Sequence, residues 1–220
     1  MMSSTTADRV RPLFHDQHMI MENDSCDGFT PASNSRLLVK RGGHLVIRKW
    51  NIPKPVALVD TREQSPWPLH ENHPNWIGGE KRVALPAGDY SIEGMQDLLA
   101  IERKALPDVV RSTIGNRARF FRACERLTKL RWKAILIEST YEEMKLPYSE
   151  TIGPKPQAHP NAVLGTLDAI EARLGIPVIY TSQVADLATE RAASWLSKHF
   201  TYWWLEQNGN SRVLDDEDGL

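Results

Sequence analysis

From residue 56 onward the apolar positions alternate between two rhythms, short unbroken runs and three-to-four-residue spacing. "VALVD" (56–60) reads as an apolar strand ending in an acid, and "GDYSIEG" (88–94) with "DLLAIE" (97–102) reads as a hairpin. Pro107 is expected at the first position of a short helix. "NRARFFRACERLTKL" (116–130) predicts a longer helix with Phe120, Cys124, Leu127 and Leu130 as its buried stripe. "KAILIES" (133–139) is continuously apolar, the mark of a strand covered on both faces. A helix over 161–175 stopped by Gly175, a strand over 176–181 and a closing helix over 184–200 complete the series. This alternation predicts an α/β domain, a mixed sheet with helices on both faces.

The flanks differ. Residues 1–35 are polar and lack periodicity, so a loosely ordered extension is expected. "RLLVKRGGHLVIRKW" reads as a β-hairpin around Gly42-Gly43, giving a hairpin extension over 36–53 and a main domain over 54–205. Residues 64–81, with three prolines and two glycines, read as a long loop. Residues 206–220, with "DDED" at 215–218, read as an acidic tail.

Composition narrows the picture only slightly. The 220 residues, 41% apolar, suffice for one substantial core. A net charge of −1 excludes nothing. Cys26 and Cys124 match no metal spacing, and a reducing compartment is expected. No secretion signal or membrane-length apolar run is present, so an intracellular protein, cytoplasmic or nucleoid-associated, is expected.

The chemistry concentrates where the strand around 97–102 runs into Glu102-Arg103-Lys104. Strand side chains alternate with period two, so Glu102 and Lys104 point to one side. If 88–94 pairs with this strand, Asp89 lies beside Glu102. Two converging carboxylates suit a hard divalent cation such as Mg²⁺ or Mn²⁺, and a lysine beside them can orient a water or balance charge on a phosphate. "VDTRE" adds Asp60 and Arg62 on one side of a strand end, with Glu63 able to complete a metal shell or hold a ligand water. Arg62 and Arg103 suit bidentate phosphate contacts. The expected chemistry is metal-dependent phosphodiester hydrolysis.

"VDTRE" (59–63), "GDY" (88–90) and "ERKALPD" (102–108) resemble the nuclease domain of the XPF and Mus-type structure-specific DNA endonucleases. That family's mark is Gly-Asp, a spacer, then Glu-Arg-Lys-x3-Asp, and the likeness extends over about residues 55–200. The resemblance implies a restriction-endonuclease-like core and Mg²⁺ or Mn²⁺ dependence. It makes Asp89 and Glu102 metal ligands, with Glu63 and Asp60 in or near the metal site. Lys104 becomes the water-positioning base or charge stabiliser, Arg62 and Arg103 phosphate contacts, and Asp108 a supporting partner for Lys104 or Arg103. Asp108 also suits a helix N-terminus on dipole grounds. The family's usual tandem helix-hairpin-helix module has no counterpart in the residues after Phe200.

Residues 102–133 hold ten Lys or Arg against three acids, a local surplus of seven. Arg111, Arg117, Arg119, Arg122, Arg126 and Lys129 are therefore expected to contact the DNA backbone, which positions a duplex without reading its sequence. His70 and His73 lack a third ligand, "GGEKR" (78–82) lacks phosphate-loop spacing, and Trp195, Trp203 and Trp204 read as core or dimer contacts. A homodimer through 161–200, or a partner subunit, follows from the resemblance. Two other readings remain open: a catalytically silent DNA-binding or scaffold subunit of the same fold, and a nuclease for plain duplex or single-stranded nucleic acid.

Overall fold

The computed structural model describes residues 36–41, 44–49, 51–148 and 158–209. The expected N-terminal extension, Cys26 and the "DDED" segment lie outside them. The chain divides after Thr30, and every residue described belongs to the unit Pro31–Leu220. Strands β1 (Arg36–Arg41) and β2 (His44–Lys49) pair antiparallel as a two-stranded sheet of their own, with Arg41 opposite His44.

The main sheet has six strands in the order β4-β3-β5-β6-β7-β8. They are β3 (Val56–Asp60), β4 (Gly79–Val83), β5 (Tyr90–Ile92), β6 (Leu99–Ala105), β7 (Trp132–Glu138) and β8 (Val178–Tyr180). β5 alone runs against its neighbours; the other pairs, β3 with β4, β6 with β7 and β7 with β8, are parallel. Among the described residues the helices are α1 (Leu69–Asn72), α2 (Leu106–Ile114), α3 (Arg117–Leu127), α4 (Tyr141–Lys145), α5 (Pro160–Leu174) and α6 (Ala185–Gln207). None is long and apolar enough to cross a membrane.

Helices cover both faces, as the alternation predicts. On one face Leu99, Ile101, Ala134 and Leu136 pack with Trp67 and with Ala192, Leu196 and Phe200 of α6. On the other, Ala100, Ile135 and Ile137 pack with Val109 of α2, Phe120 and Cys124 of α3 and Leu167 of α5. Strict alternation along β6 therefore divides its charged end. Glu102 and Lys104 continue the Ala100 side, under α2 and α3, while Arg103 continues the Leu99–Ile101 side. Glu102, Arg103 and Lys104 are strand residues, since β6 runs on to Ala105. The expected end at 102 is too early, because parallel pairing with β7 up to Ala105↔Glu138 holds the charged segment extended.

Other elements also depart from the expected ones, and α1 lies wholly inside the expected loop over 64–81. β4 lies partly inside the expected loop over 64–81. It is an edge strand with three of its five residues exposed, so it carries no apolar alternation. α4 was not anticipated, although Thr140-x-x-Glu143 forms a capping box, with Glu143 N–H donating to Thr140 Oγ1 and Thr140 N–H to Glu143 Oε2. α6 continues past Phe200 to Gln207 because Thr201 and Leu205 still find buried positions. The stop at Gly175 is as expected, with φ of 59°.

The turn into β5 depends on Gly88. Its φ is +72°, and a Cβ there would stand 2.7 Å from the Ile101 carbonyl oxygen. The close approach lets Asp89 N–H donate to Ile101 O at 2.7 Å, which seats Asp89 on β6. Gly88→Ala is expected to cost roughly 2–4 kcal/mol from left-handed strain plus the clash. A thermal melt within 1 °C of the parent would contradict this account of the turn.

Candidate functional site

The β5–β6 register delivers the central result of the site. Tyr90 sits opposite Ile101, so Asp89, one residue before Tyr90, faces the same side as Glu102 and Lys104. All three line one cleft of about 560 Å³ together with Gly88. Arg62 and Glu63 form one rim, Asp108, Arg111, Ser112 and Asn116 come from α2 and its end, and Arg119, Phe120, Arg122 and Arg126 come from α3.

The electrostatics are unbalanced at the carboxylates and satisfied at the lysine. Burial, and then the negative charge of Glu102, push the Asp89 carboxyl well above the ordinary carboxylate range, against the pull of the Arg103 N–H that donates to its Oδ2 at 2.7 Å. Glu102 is only 8% exposed. Lys104 donates to Glu102 Oε1 at 2.5 Å, and its ammonium lies 5.6 Å above the Phe120 ring. Burial disfavours that ammonium, but Glu102 more than offsets it, so Lys104 holds its proton more tightly than a free lysine.

Two carboxylates of like charge, Glu102 buried and Asp89 partly so, each with one oxygen engaged by an N–H, fit a hard divalent cation. Mg²⁺ is commonly held by one or two carboxylates plus waters, and a cation would relieve the repulsion that raises Asp89. Among the described residues no group of three or more His, Cys, Asp or Glu side chains gathers as a metal cage. Glu63 reaches the rim, but its Oε1 accepts from Ser65 N–H at 3.0 Å and lies 3.5 Å from Arg103 Nη1.

Other expected site residues take different positions. Asp60 is 1% exposed and does not line the cleft. Its carboxylate accepts from Arg62 Nε at 2.6 Å, Arg62 Nη2 at 2.8 Å, Arg62 N–H at 2.8 Å and Leu85 N–H at 2.7 Å. The Arg62 guanidinium, with those backbone N–H groups, holds the carboxyl down at about 2 against the cost of burial. With four donors on its two oxygens, Asp60 anchors Arg62. Arg62 itself stays 68% exposed at the rim.

Arg103 is turned away from the cleft, because its place in β6 is odd where those of Glu102 and Lys104 are even. Its Nε donates to Glu138 Oε1 at 2.7 Å, its Nη1 donates to Ser65 O, and its guanidinium lies 4.6 Å over the Trp67 ring. Trp67 Nε1–H donates to the same Glu138 oxygen at 2.7 Å, and Trp67 stacks on Tyr90 at 5.1 Å. Arg103 thus serves the cleft only through its backbone N–H on Asp89. Asp108 pairs with Arg111, at 2.6 Å, rather than directly with Lys104 or Arg103.

Of the expected backbone-contacting residues, Arg111, Arg119, Arg122 and Arg126 line the cleft, while Arg117 and Lys129 do not. Arg117 lies on the other flank of α3, over Phe121. Phe120, Ser112 and Asn116 were missed as cleft residues. Phe120 carried only the signal of a core position, and the placing of its ring under Lys104 depends on the packing of α3 against β6. Cys124 is a free, buried thiol pushed up to about 12 by burial, which leaves it chemically quiet.

The sequence matches the family described as ERCC4 domain over residues 59–190. Among solved structures it is similar to XPF from Aeropyrum pernix, at 23% identity and a TM-score of 0.50. That match covers 66% of this chain and 61% of the other, so the chain spans less than two thirds of the archaeal protein's length. The likeness establishes a restriction-endonuclease-like α/β fold. Comparison with curated protein sequences returns no match.

Proposed function

The chain belongs to the ERCC4 domain family, and from that premise we propose that it is a divalent-metal-dependent DNA endonuclease acting on branched, flap or fork DNA. The observation that carries the reading is the convergence of Asp89, Glu102 and Lys104 in one cleft walled by four arginines.

Asp89 and Glu102 would hold Mg²⁺ or Mn²⁺. When bound, such an ion activates a water and neutralises charge on a phosphate oxygen. Everything else is done by the chain's own groups. Lys104, whose ammonium donates to Glu102 inside the cleft, would act as the water-positioning base or as a charge stabiliser for the water or the phosphate. Arg62, pinned by Asp60, presents its guanidinium to a phosphate flanking the scissile bond. Arg111, Arg119, Arg122 and Arg126 supply the wall against which the backbone lies, and the Arg103 N–H fixes Asp89. Pairing of two copies through 161–200 is part of the proposal, supported by Val184 and Leu187, exposed apolar residues at the start of α6.

The test is direct. Labelled flap, fork, duplex and single-stranded DNA are incubated with the full chain in Mg²⁺, in Mn²⁺ or in EDTA. Cutting of the branched substrates in either metal, and none in EDTA, is expected. Binding without cutting in every condition would make the chain a silent scaffold, and equal cutting of plain duplex would remove the branch preference.

A further inference from the structure

Between α3 and α5 lies a second hollow, of about 600 Å³, which the site above does not use. Phe121, Ala169 and Leu174 give it apolar lining, and Arg117, Arg173 and Glu125 supply its charged lining, two cations to one carboxylate. Both arginines are exposed and Phe121 is half-buried. Arg117 is already held in place, its guanidinium 5.0 Å from the Phe121 centroid and donating to Thr166 Oγ1 at 3.1 Å. Among the described residues neither arginine forms an ion pair.

Oriented guanidinium charge without a carboxylate partner suits a phosphate, and a half-exposed aromatic ring beside it suits an unpaired base. A plain apolar partner would leave two arginine charges facing its surface, so charge favours nucleic acid over a protein face. The position is as informative as the chemistry. On α3, Arg119, Arg122 and Arg126 turn to the cleft, whereas Arg117, Phe121 and Glu125 recur at four-residue steps on the opposite flank. α3 therefore stands as a ridge about 10–12 Å across, with a phosphate-compatible surface on either side. A continuous duplex in the cleft has no use for the far flank. A strand that leaves the duplex at a junction does.

We propose that the α3–α5 groove receives a single-stranded DNA arm diverging from the duplex in the cleft, its phosphates on Arg117 and Arg173 and an unpaired base against Phe121, with the pairing of copies carried by the Val184–Leu187 end of 161–200 and leaving Ala169, Arg173 and Leu174 open. The inference rests on the endonuclease reading for what occupies the cleft, and it names the feature of the substrate that the groove selects.

Fluorescence anisotropy in EDTA, where no cutting occurs, compares a labelled fork carrying a single-stranded arm with a blunt duplex of equal length. Arg173→Glu is expected to weaken fork binding about tenfold and leave duplex binding within about twofold. Phe121→Leu, which keeps the packing, is expected to weaken fork binding roughly fivefold. Arg122→Glu, in the cleft wall, serves as the control and weakens both. Equal losses on fork and duplex, or no loss with Arg173→Glu, would overturn the groove while Arg122→Glu still upholds the cleft. A monomer–dimer shift by light scattering in Arg173→Glu without loss of fork binding would assign the groove to self-association instead. Failure of the parent to bind either DNA would sink both readings.

Discussion

Asp89→Asn is expected to lose metal-dependent cutting by a factor on the order of 10³ and, in EDTA, to melt at a higher temperature than the parent. The two effects share one cause. Asp89 is partly buried beside Glu102, and its charge is disfavoured by desolvation and then by that neighbour. Asparagine keeps an oxygen to accept the Arg103 N–H and places an N–H₂ where repulsion stood. Removing the unfavourable charge should stabilise the metal-free fold by roughly 1–3 kcal/mol, at about 2–4 °C per kcal/mol for a chain of this size. The variant would still bind forks. Opposite signs for activity and stability distinguish a functional carboxylate from a structural one. Unchanged cutting would remove Asp89 from the mechanism, and lost cutting with a lower melting temperature would show that the change had merely disturbed the fold.

Asp60 makes the reverse prediction. Asp60→Ala leaves the buried Leu85 N–H without its acceptor and frees Arg62 from two side-chain hydrogen bonds. The cost should be roughly 2–4 kcal/mol, most of it from the backbone donors, since Arg62 is solvent-exposed and its Coulomb share is screened. Activity should fall only about tenfold, through loss of Arg62 positioning. The pH dependence has a definite sign. The folded carboxyl titrates at about 2 and an unfolded aspartate near 3.9, so the folded state gains from the ionised form above pH about 4. That gain is lost as pH falls from about 4 to about 2. Urea midpoints of parent and Asp60→Asn should therefore differ most at pH 6 and converge toward pH 2. A gap that stayed constant across that range would assign the anchor to packing rather than to charge.

Both predictions concern residues whose types and spacing the sequence displays, yet whose opposite roles it conceals. Asp60 and Asp89 each lie at a strand end next to an apolar run. What separates them is the set of donors around each carboxylate. Asp60 meets Arg62 two residues on, but also Leu85 twenty-five residues on, across the β3–β4 side of the sheet. Asp89 meets Glu102 because β5 and β6 pair as a hairpin, a local event that the two apolar runs around Gly94 foreshadow. For the same reason Glu102 and Lys104 were legible as a pair, and Arg103 should have been read as facing away. The alternation that unites positions 102 and 104 also excludes 103.

The strands and helices that carry apolar periodicity, the buried stripe of α3, the stop at Gly175 and the joint facing of Glu102 and Lys104 are thus properties of the chain read locally. Each follows from backbone periodicity or from a single residue's conformational limits. Tertiary structure alone decided that Arg103 is gathered by Glu138 and Trp67, that Glu63 stays out of a three-carboxylate group, and that α3 presents arginines to two separate hollows. Those outcomes join residues dozens of positions apart, and hydrophobic patterning tells which side of an element is buried without telling which distant side chain it will meet there.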